Sequence, residues 1–310
     1  MKPGREPEGE RKLQMGIFRN QGLRRIRRLK YKLIFLVMSL SPISTFVLQM
    51  PAFADVRVAP VALYLSDANR TGRIVVENMS AEPRDIEIDL RFGYPVSDEN
   101  GDISMRYIDS TVSNEPSAKD WIRAYPRRLT LLPGRQQTIR FAARPPAELP
   151  NGEYWVRPII TSRPVEQDKP AGEPDGKVSV YLGVTFKTVI SINYRRGKVS
   201  TGIEIHNPST HIRNNRLILL VDLSRTGNAA FLGKIVVRIR DSNGKIREEM
   251  NNEIAVYHFL RRRMELNLEG LPRGSYNAEI EVNTDRQALA DGDILRAEAV
   301  SKTLAFLIVP

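Results

Sequence analysis

The sequence predicts an all-β chain of two immunoglobulin-like β-sandwich domains in series, preceded by an export leader. Three observations predict it: short apolar alternations separated by turn residues from Asp55 onward, no long amphipathic helical pattern, and one unusually long alternating run at 177–194. A period of two marks a strand with one apolar face, and many short strands at regular spacing mark a sandwich or barrel.

The leader comes first. The 310 residues carry a formal charge of +11, but residues 1–54 hold eleven Lys or Arg against Glu6, Glu8 and Glu10, a net of +8 that leaves +3 for the rest. This basic head precedes an apolar run from Leu33 that ends in Ala52-Phe53-Ala54. A basic head, an apolar middle and small residues at an A-x-A site describe a secretory signal peptide, with cleavage after Ala54 and a periplasmic product free of the membrane. The competing reading is an uncleaved anchor, since 33–50 is near the lower length for a spanning helix; Pro42 and the A-x-A ending favour cleavage. The head is long enough for translation to begin at Met15. The chain has no cysteine, so disulfides are excluded and each exported domain must rely on its own core. With a net of +3 after the leader and no recognition motif, nucleic acid is not an expected partner.

The exported part divides at Tyr194-Arg195-Arg196-Gly197 into 55–194 and 195–310, halves of about 140 and 115 residues, near the size of one immunoglobulin-like sandwich each. In the first half, Arg73 to Glu77 ends at Asn78, Ile86 to Leu90 alternates, and Gln137 to Phe141 follows the turn at Pro133-Gly134. Pro158 inside the apolar run 154–160 predicts an edge strand or a bulge. In the second half the predicted strands are 202–206 before an Asn207-Pro208 turn, 217–223, 234–240, 263–268, 276–282 and 303–309. Asp241-Ser242-Asn243-Gly244 is a hairpin signal, because Asn-Gly accommodates the positive φ of tight antiparallel turns.

Segment 177–194, KVSVYLGVTFKTVISINY, places Val178, Val180, Leu182, Val184, Phe186, Ile190 and Ile192 on one parity. That is one long strand with a continuous apolar face, behind a Pro- and Gly-rich loop at 164–176 that cannot be strand. Two uses fit: the last strand of its own sandwich, or a strand lent to another chain.

Four places then resemble the periplasmic pilus-assembly chaperones of the PapD type. They are Ile74 to Ser80; the Pro126, 129–132, Pro133-Gly134, Gln137, Arg140 series; Leu149 to Val156 with its Asn151-Gly152 turn; and the long strand ending in Tyr194-Arg195, followed by Ile203 to Ser209. The likeness covers 55–209 in order and fades beyond. It implies a non-enzymatic chaperone without cofactor or metal, whose partners are pilus or surface-fibre subunits and an outer-membrane usher. Such a subunit lacks its final strand, leaving an apolar groove and unpaired backbone groups. The chaperone supplies a strand, a recognised mode of β-augmentation. By resemblance the inserted side chains are Val178, Val180, Leu182, Val184 and Phe186, worth roughly 1.5 to 3 kcal/mol each if fully buried, before association costs. The alternative class is an exported structural or adhesive sandwich whose corresponding strand is satisfied internally.

The family also holds the subunit's terminal carboxylate with an Arg from the first strand and a Lys late in the donor strand. Ungapped alignment on Tyr194-Arg195 places Ser191 at the Lys position and Val61 near the Arg position. Lys187 and Arg57 are the nearby candidates, Lys187 being displaced by four residues, ~13 Å along a strand. An acidic partner for Arg195 is not evident, since Ile160 stands near its place.

The other polar features point to surface roles. Arg127, Arg128, Arg135, Arg140, Arg144 and Arg157 read as outward residues of alternating strands, with Arg140 the candidate for an internal ion pair, and Arg261-Arg262-Arg263 reads as a solvated turn. His206, His211 and His258 lack the carboxylate spacing of a metal site. No nucleophile or phosphate-loop motif appears. Asn69-Arg70-Thr71 and Asn78-Met79-Ser80 fit the glycosylation sequon.

Overall fold

The computed structural model describes residues 55–108, 115–165, 183–286 and 293–309. The leader, its cleavage site, and Val178, Val180 and Leu182 lie outside the described residues. Within them there is no helix, and the chain forms eighteen strands.

The first eleven strands are β1 (Val56–Ala59), β2 (Ala62–Ser66), β3 (Thr71–Asn78), β4 (Arg84–Ser97), β5 (Ile103–Ile108), β6 (Ile122–Tyr125), β7 (Arg128–Leu131), β8 (Gln136–Ala143), β9 (Gly152–Pro164), β10 (Phe186–Val189) and β11 (Ser191–Arg196). One sheet has the order β1-β3-β8-β6; the other runs β2-β11-β9-β4-β5, with β10 on β9 and β7 on β4. The chain changes sheets at Pro60, between β1 and β2. Alternation explains the layer between them: Ile74 and Val76, Ile86 and Ile88, Ile139 and Phe141, Val156 and Ile160, Ile190 and Ile192 all point inward into one core.

The second set is β12 (Thr201–Arg213), β13 (Arg216–Gly227), β14 (Phe231–Asp241), β15 (Ile246–Val256), β16 (Phe259–Asn267), β17 (Gly274–Asn283) and β18 (Val300–Ile308). Its sheets, β12-β13-β16 and β15-β14-β17-β18, enclose a separate core that includes Leu219, Val221, Phe231, Val237, Ile239 and Ile280. The Asn-Gly hairpin joins β14 to β15, with Gly244 at φ +77° and Asp241 Oδ1 accepting the N–H groups of Asn243 and Lys245.

Three local expectations are corrected. Asn207-Pro208 does not end a strand: β12 continues through it with a shift in register between His206 and Ser209, and Asn207 adopts φ +44°. This is a bulge, which an Asn in the left-handed region accommodates. Arg261 to Arg263 are not in a turn but in β16, where Arg261 clasps the buried Asp222 at 2.6 and 2.9 Å. Asn78 is fully buried, and its amide donates to the carbonyls of Glu82 (2.7 Å) and Leu131 (2.9 Å), so in the folded chain it is no glycan acceptor.

Pro158 is neither at an edge nor in a bulge. Strand β9 is central, with β4 on one side and β10 and β11 on the other. The pairing of Val189 with Ile159 and of Ile192 with Val156 keeps one register through the gap at Ile190. Opposite that gap stands Pro158, whose carbonyl accepts the Ile190 N–H at 3.0 Å but which has no N–H to return. The predicted long strand is therefore continuous in register from Phe186 to Arg196 and loses ladder bonding only where its neighbour is proline; residues 183–185 are not strand.

Candidate functional site: an open strand edge and the cleft beside it

The long strand changes character along its length. Ile190, Ile192 and Tyr194 are sealed in the first core at 2%, 0% and 0% exposure, whereas Val184 and Phe186, on the same parity, are 45% and 42% exposed. The edge changes at the same place. From Ser191 onward β2 pairs with β11 in parallel, beginning with the Ser191 N–H donated to Val61 O at 3.0 Å. Strand β10 pairs with β9 alone among the described residues.

Backbone direction makes this explicit. Successive N–H groups in a strand point to opposite sides. Ile190 donates to β9 and Ser191 to the β2 side, so the N–H groups of Lys187 and Val189 point toward the unpaired side. One strand is thus tethered by its C-terminal half and offers apolar side chains and main-chain donors from its N-terminal half.

The two candidate cations are not brought together. Lys187 is exposed on β10, in the seven-stranded sheet; Arg57 is exposed on β1, in the four-stranded sheet, where it ion-pairs with Glu77. The sequence reading missed a third. Arg157 is expected outward by its place among the arginines, yet it is 5% exposed. Its Nε donates to Gly93 O at 3.0 Å, a terminal nitrogen donates to Ser191 Oγ, and its guanidinium lies 4.7 Å from the centre of the Tyr257 ring. Ser191, the residue found at the family's Lys position, is thus the cross-strand neighbour of a buried arginine. Arg157 has no carboxylate partner among the described residues. The signal was available: 154–160 is apolar on both parities, as in a strand buried on both faces, so a charged residue within it is also buried.

The acidic partner of Arg195 is present after all, as Glu153 and not at Ile160. Their ion pair is 2.9 Å long with Glu153 at 1% exposure. The other carboxylate oxygen accepts from Trp155 Nε1 at 2.9 Å and from the backbone of Ala230, in the second sandwich, at 3.2 Å. Arg195 also covers the Tyr64 ring at 4.6 Å and donates to Asp293 O. Burial pushes the Tyr64 phenol well above its ordinary pKa, so it stays neutral beneath that guanidinium. Two arginines therefore stand near the junction of the sandwiches: the half-buried Arg195, paired with Glu153, and the buried Arg157, with no carboxylate partner among the described residues.

No protein-family model matches the chain, and no curated protein matches it. Solved structures similar to it include chaperones, among them a class 5 fimbriae chaperone. The E. coli chaperone DraB is 13% identical, with 78% of this chain and 95% of that one covered at a TM-score of 0.39. A chain of the Salmonella enterica complex of SafA pilin with the SafB chaperone is 12% identical, covering 80% and 96%, TM-score 0.39. The Pseudomonas aeruginosa CupB2 chaperone is 11% identical, covering 80% and 98%, TM-score 0.35.

Proposed function

We propose that this protein is a non-enzymatic periplasmic assembly chaperone, which holds a pilus or surface-fibre subunit by lending it the strand that leads into β10. The observation that carries this reading is the change along a single apolar face: Ile190, Ile192 and Tyr194 are sealed, while Val184 and Phe186 are exposed, Phe186 on a strand whose outer edge has no partner among the described residues. Exposed apolar side chains on a free edge are the features that self-contained sheets avoid. A partner short of one strand removes both from water at once. Val178, Val180 and Leu182 extend the same parity and complete the inserted row. The division into a leader (1–54), a subunit-holding sandwich (55–194) and a second sandwich (195–310), and delivery to an outer-membrane usher, belong to this proposal.

The carboxylate anchor falls to Arg157 in this reading, not to Arg57, which Glu77 already neutralises. A buried cation held, among the described residues, by a carbonyl, a hydroxyl and a ring favours an incoming anion, because buried charge is stabilised by pairing. Lys187, on the opposite face of the lent strand, is a second cation offered to the same partner.

The test is co-purification from periplasm with a candidate subunit, comparing wild type with Leu182→Asp and Val184→Asp. The charged variants are expected to fold and to lose the subunit, since an unpaired carboxylate in an apolar groove is strongly unfavourable. Failure of both variants to fold would show instead that these side chains serve the protein's own core.

A further inference from the structure

A free sheet edge presents unpaired N–H and C=O groups to any other strand, so edges are usually charged, bent or covered. The second sandwich has four edges among the described residues: β12 and β16 in one sheet, β15 and β18 in the other. Three are defended. Strand β12 bends at its bulge and carries Arg213, β16 carries Arg261 to Arg263, and β15 carries Glu249 and Glu253. The fourth is not. From Thr303 to Val309 there is no charged side chain, and β18 pairs with β17 alone, in one unbroken register from Val300 to Ile308.

Apolar side chains lie on both faces of this edge. Leu304, Phe306 and Ile308 pack against the second core but are only partly buried. On the opposite face Leu307 is 54% exposed, and Val309, two residues on, is 61% exposed. Phe306 stacks on Tyr276 at 5.8 Å, and of the two rings only Tyr276 is buried. A strand laid along β18 supplies main-chain partners and apolar cover together.

We infer that the strand is supplied by a second copy of this chain: two copies pair β18 with β18, antiparallel about a two-fold axis, joining their four-stranded sheets edge to edge. The sequence of β18 is its own complement. With Phe306 on the axis, Leu304 stands opposite Ile308 and Ala305 opposite Leu307, so apolar meets apolar on either face. The two Phe306 rings form a cross-strand aromatic pair. Lys302, the single charge on β18, falls outside the paired segment, whereas a register centred on it sets two ammonium groups opposite each other. Such a contact is isologous and closes after two copies; pairing of β18 with the β10 edge of another copy is head-to-tail and open-ended. Seven paired residues span only ~23 Å, less than a standard interface requires, so the dimer is reversible and forms at micromolar concentrations. The inference does not depend on strand lending, since β18 belongs to the second sandwich and β10 to the first.

Sedimentation velocity of the full exported protein between about 1 and about 200 μM tests it, because a reversible dimer responds to concentration by mass action. The dimer fraction is expected to rise several-fold across that range. Leu307→Lys and Ala305→Lys, at exposed positions, introduce the charge that defended edges carry; both should stay monomeric with unchanged circular dichroism. Phe186→Asp, on the other open edge, should dimerise like wild type. Because the chain contains no cysteine, a single introduced thiol reports the register. Phe306→Cys faces its own counterpart and should oxidise to a covalent dimer in several-fold higher yield than Leu304→Cys, whose two copies are offset by ~13 Å along the strands. A wild type that stays monomeric at the highest concentration overturns the proposal. So does a dimer that survives both lysine variants or is lost in Phe186→Asp, and so do equal cross-linking yields at 304 and 306.

Discussion

Glu153 on β9 holds Arg195 on β11 at 2.9 Å, and the same carboxylate accepts the N–H of Ala230 from the second sandwich at 3.2 Å. One buried acid therefore fixes the strand that leaves the first domain and the loop that begins β14. Breaking a buried pair by removing one partner leaves an uncompensated charge. Glu153→Ala is expected to lower stability by about 3 kcal/mol, and Glu153→Gln, which retains an acceptor, by less. Denaturant unfolding monitored by the combined fluorescence of Trp121 and Trp155 measures both.

The two halves of the long strand should respond oppositely to the same substitution. Phe186→Asp places its charge on an exposed site and should leave the thermal midpoint within a few degrees of wild type. Ile192→Asp buries a carboxylate in the core and should prevent folding. Circular dichroism of the two purified variants decides it, and equal damage from both would mean that Phe186 belongs to the internal core.

Asn78 is the lynchpin of the turn that follows β3. Its side chain donates to two carbonyls and accepts the Ser80 N–H at 2.9 Å. Asn78→Ala leaves those groups unsatisfied and should cost about 2 kcal/mol in chemical denaturation.

Much of this was legible from residues alone. The strand parities of the described residues and the Asn-Gly hairpin are local patterns, and both appear in the fold. What was not legible depends on neighbours distant in sequence. Arg157 was assigned outward by period two, although β9 has packing on both faces; Glu153 was overlooked because its partner lies 42 residues away on an adjacent strand. Asn207-Pro208 has the composition of a turn, but a bulge uses the same backbone freedom, and only the pairing of β12 with β13 on both sides distinguishes them. The contrast between Phe186 and Ile192 was likewise invisible, since parity shows which face is apolar but not where its cover ends.

Tyr194 gives the fold an alkaline limit. Burial, followed by its 2.7 Å hydrogen bond to Asp67, raises its pKa to about 12. A folded-state value above the unfolded one means that its contribution is complete below about pH 10 and is lost as pH rises through the folded value. Unfolding free energies measured between these limits should decline in wild type and decline less in Tyr194→Phe.

Amide hydrogen exchange of β10, with and without a candidate subunit, tests strand lending most directly. In the free protein the N–H groups of Lys187 and Val189 face the open edge and should exchange rapidly. On binding, both are expected to become protected by at least about tenfold, with Ile190 already protected by Pro158 in either state. A subunit that binds tightly while Lys187 and Val189 continue to exchange as in the free chain would contradict the account.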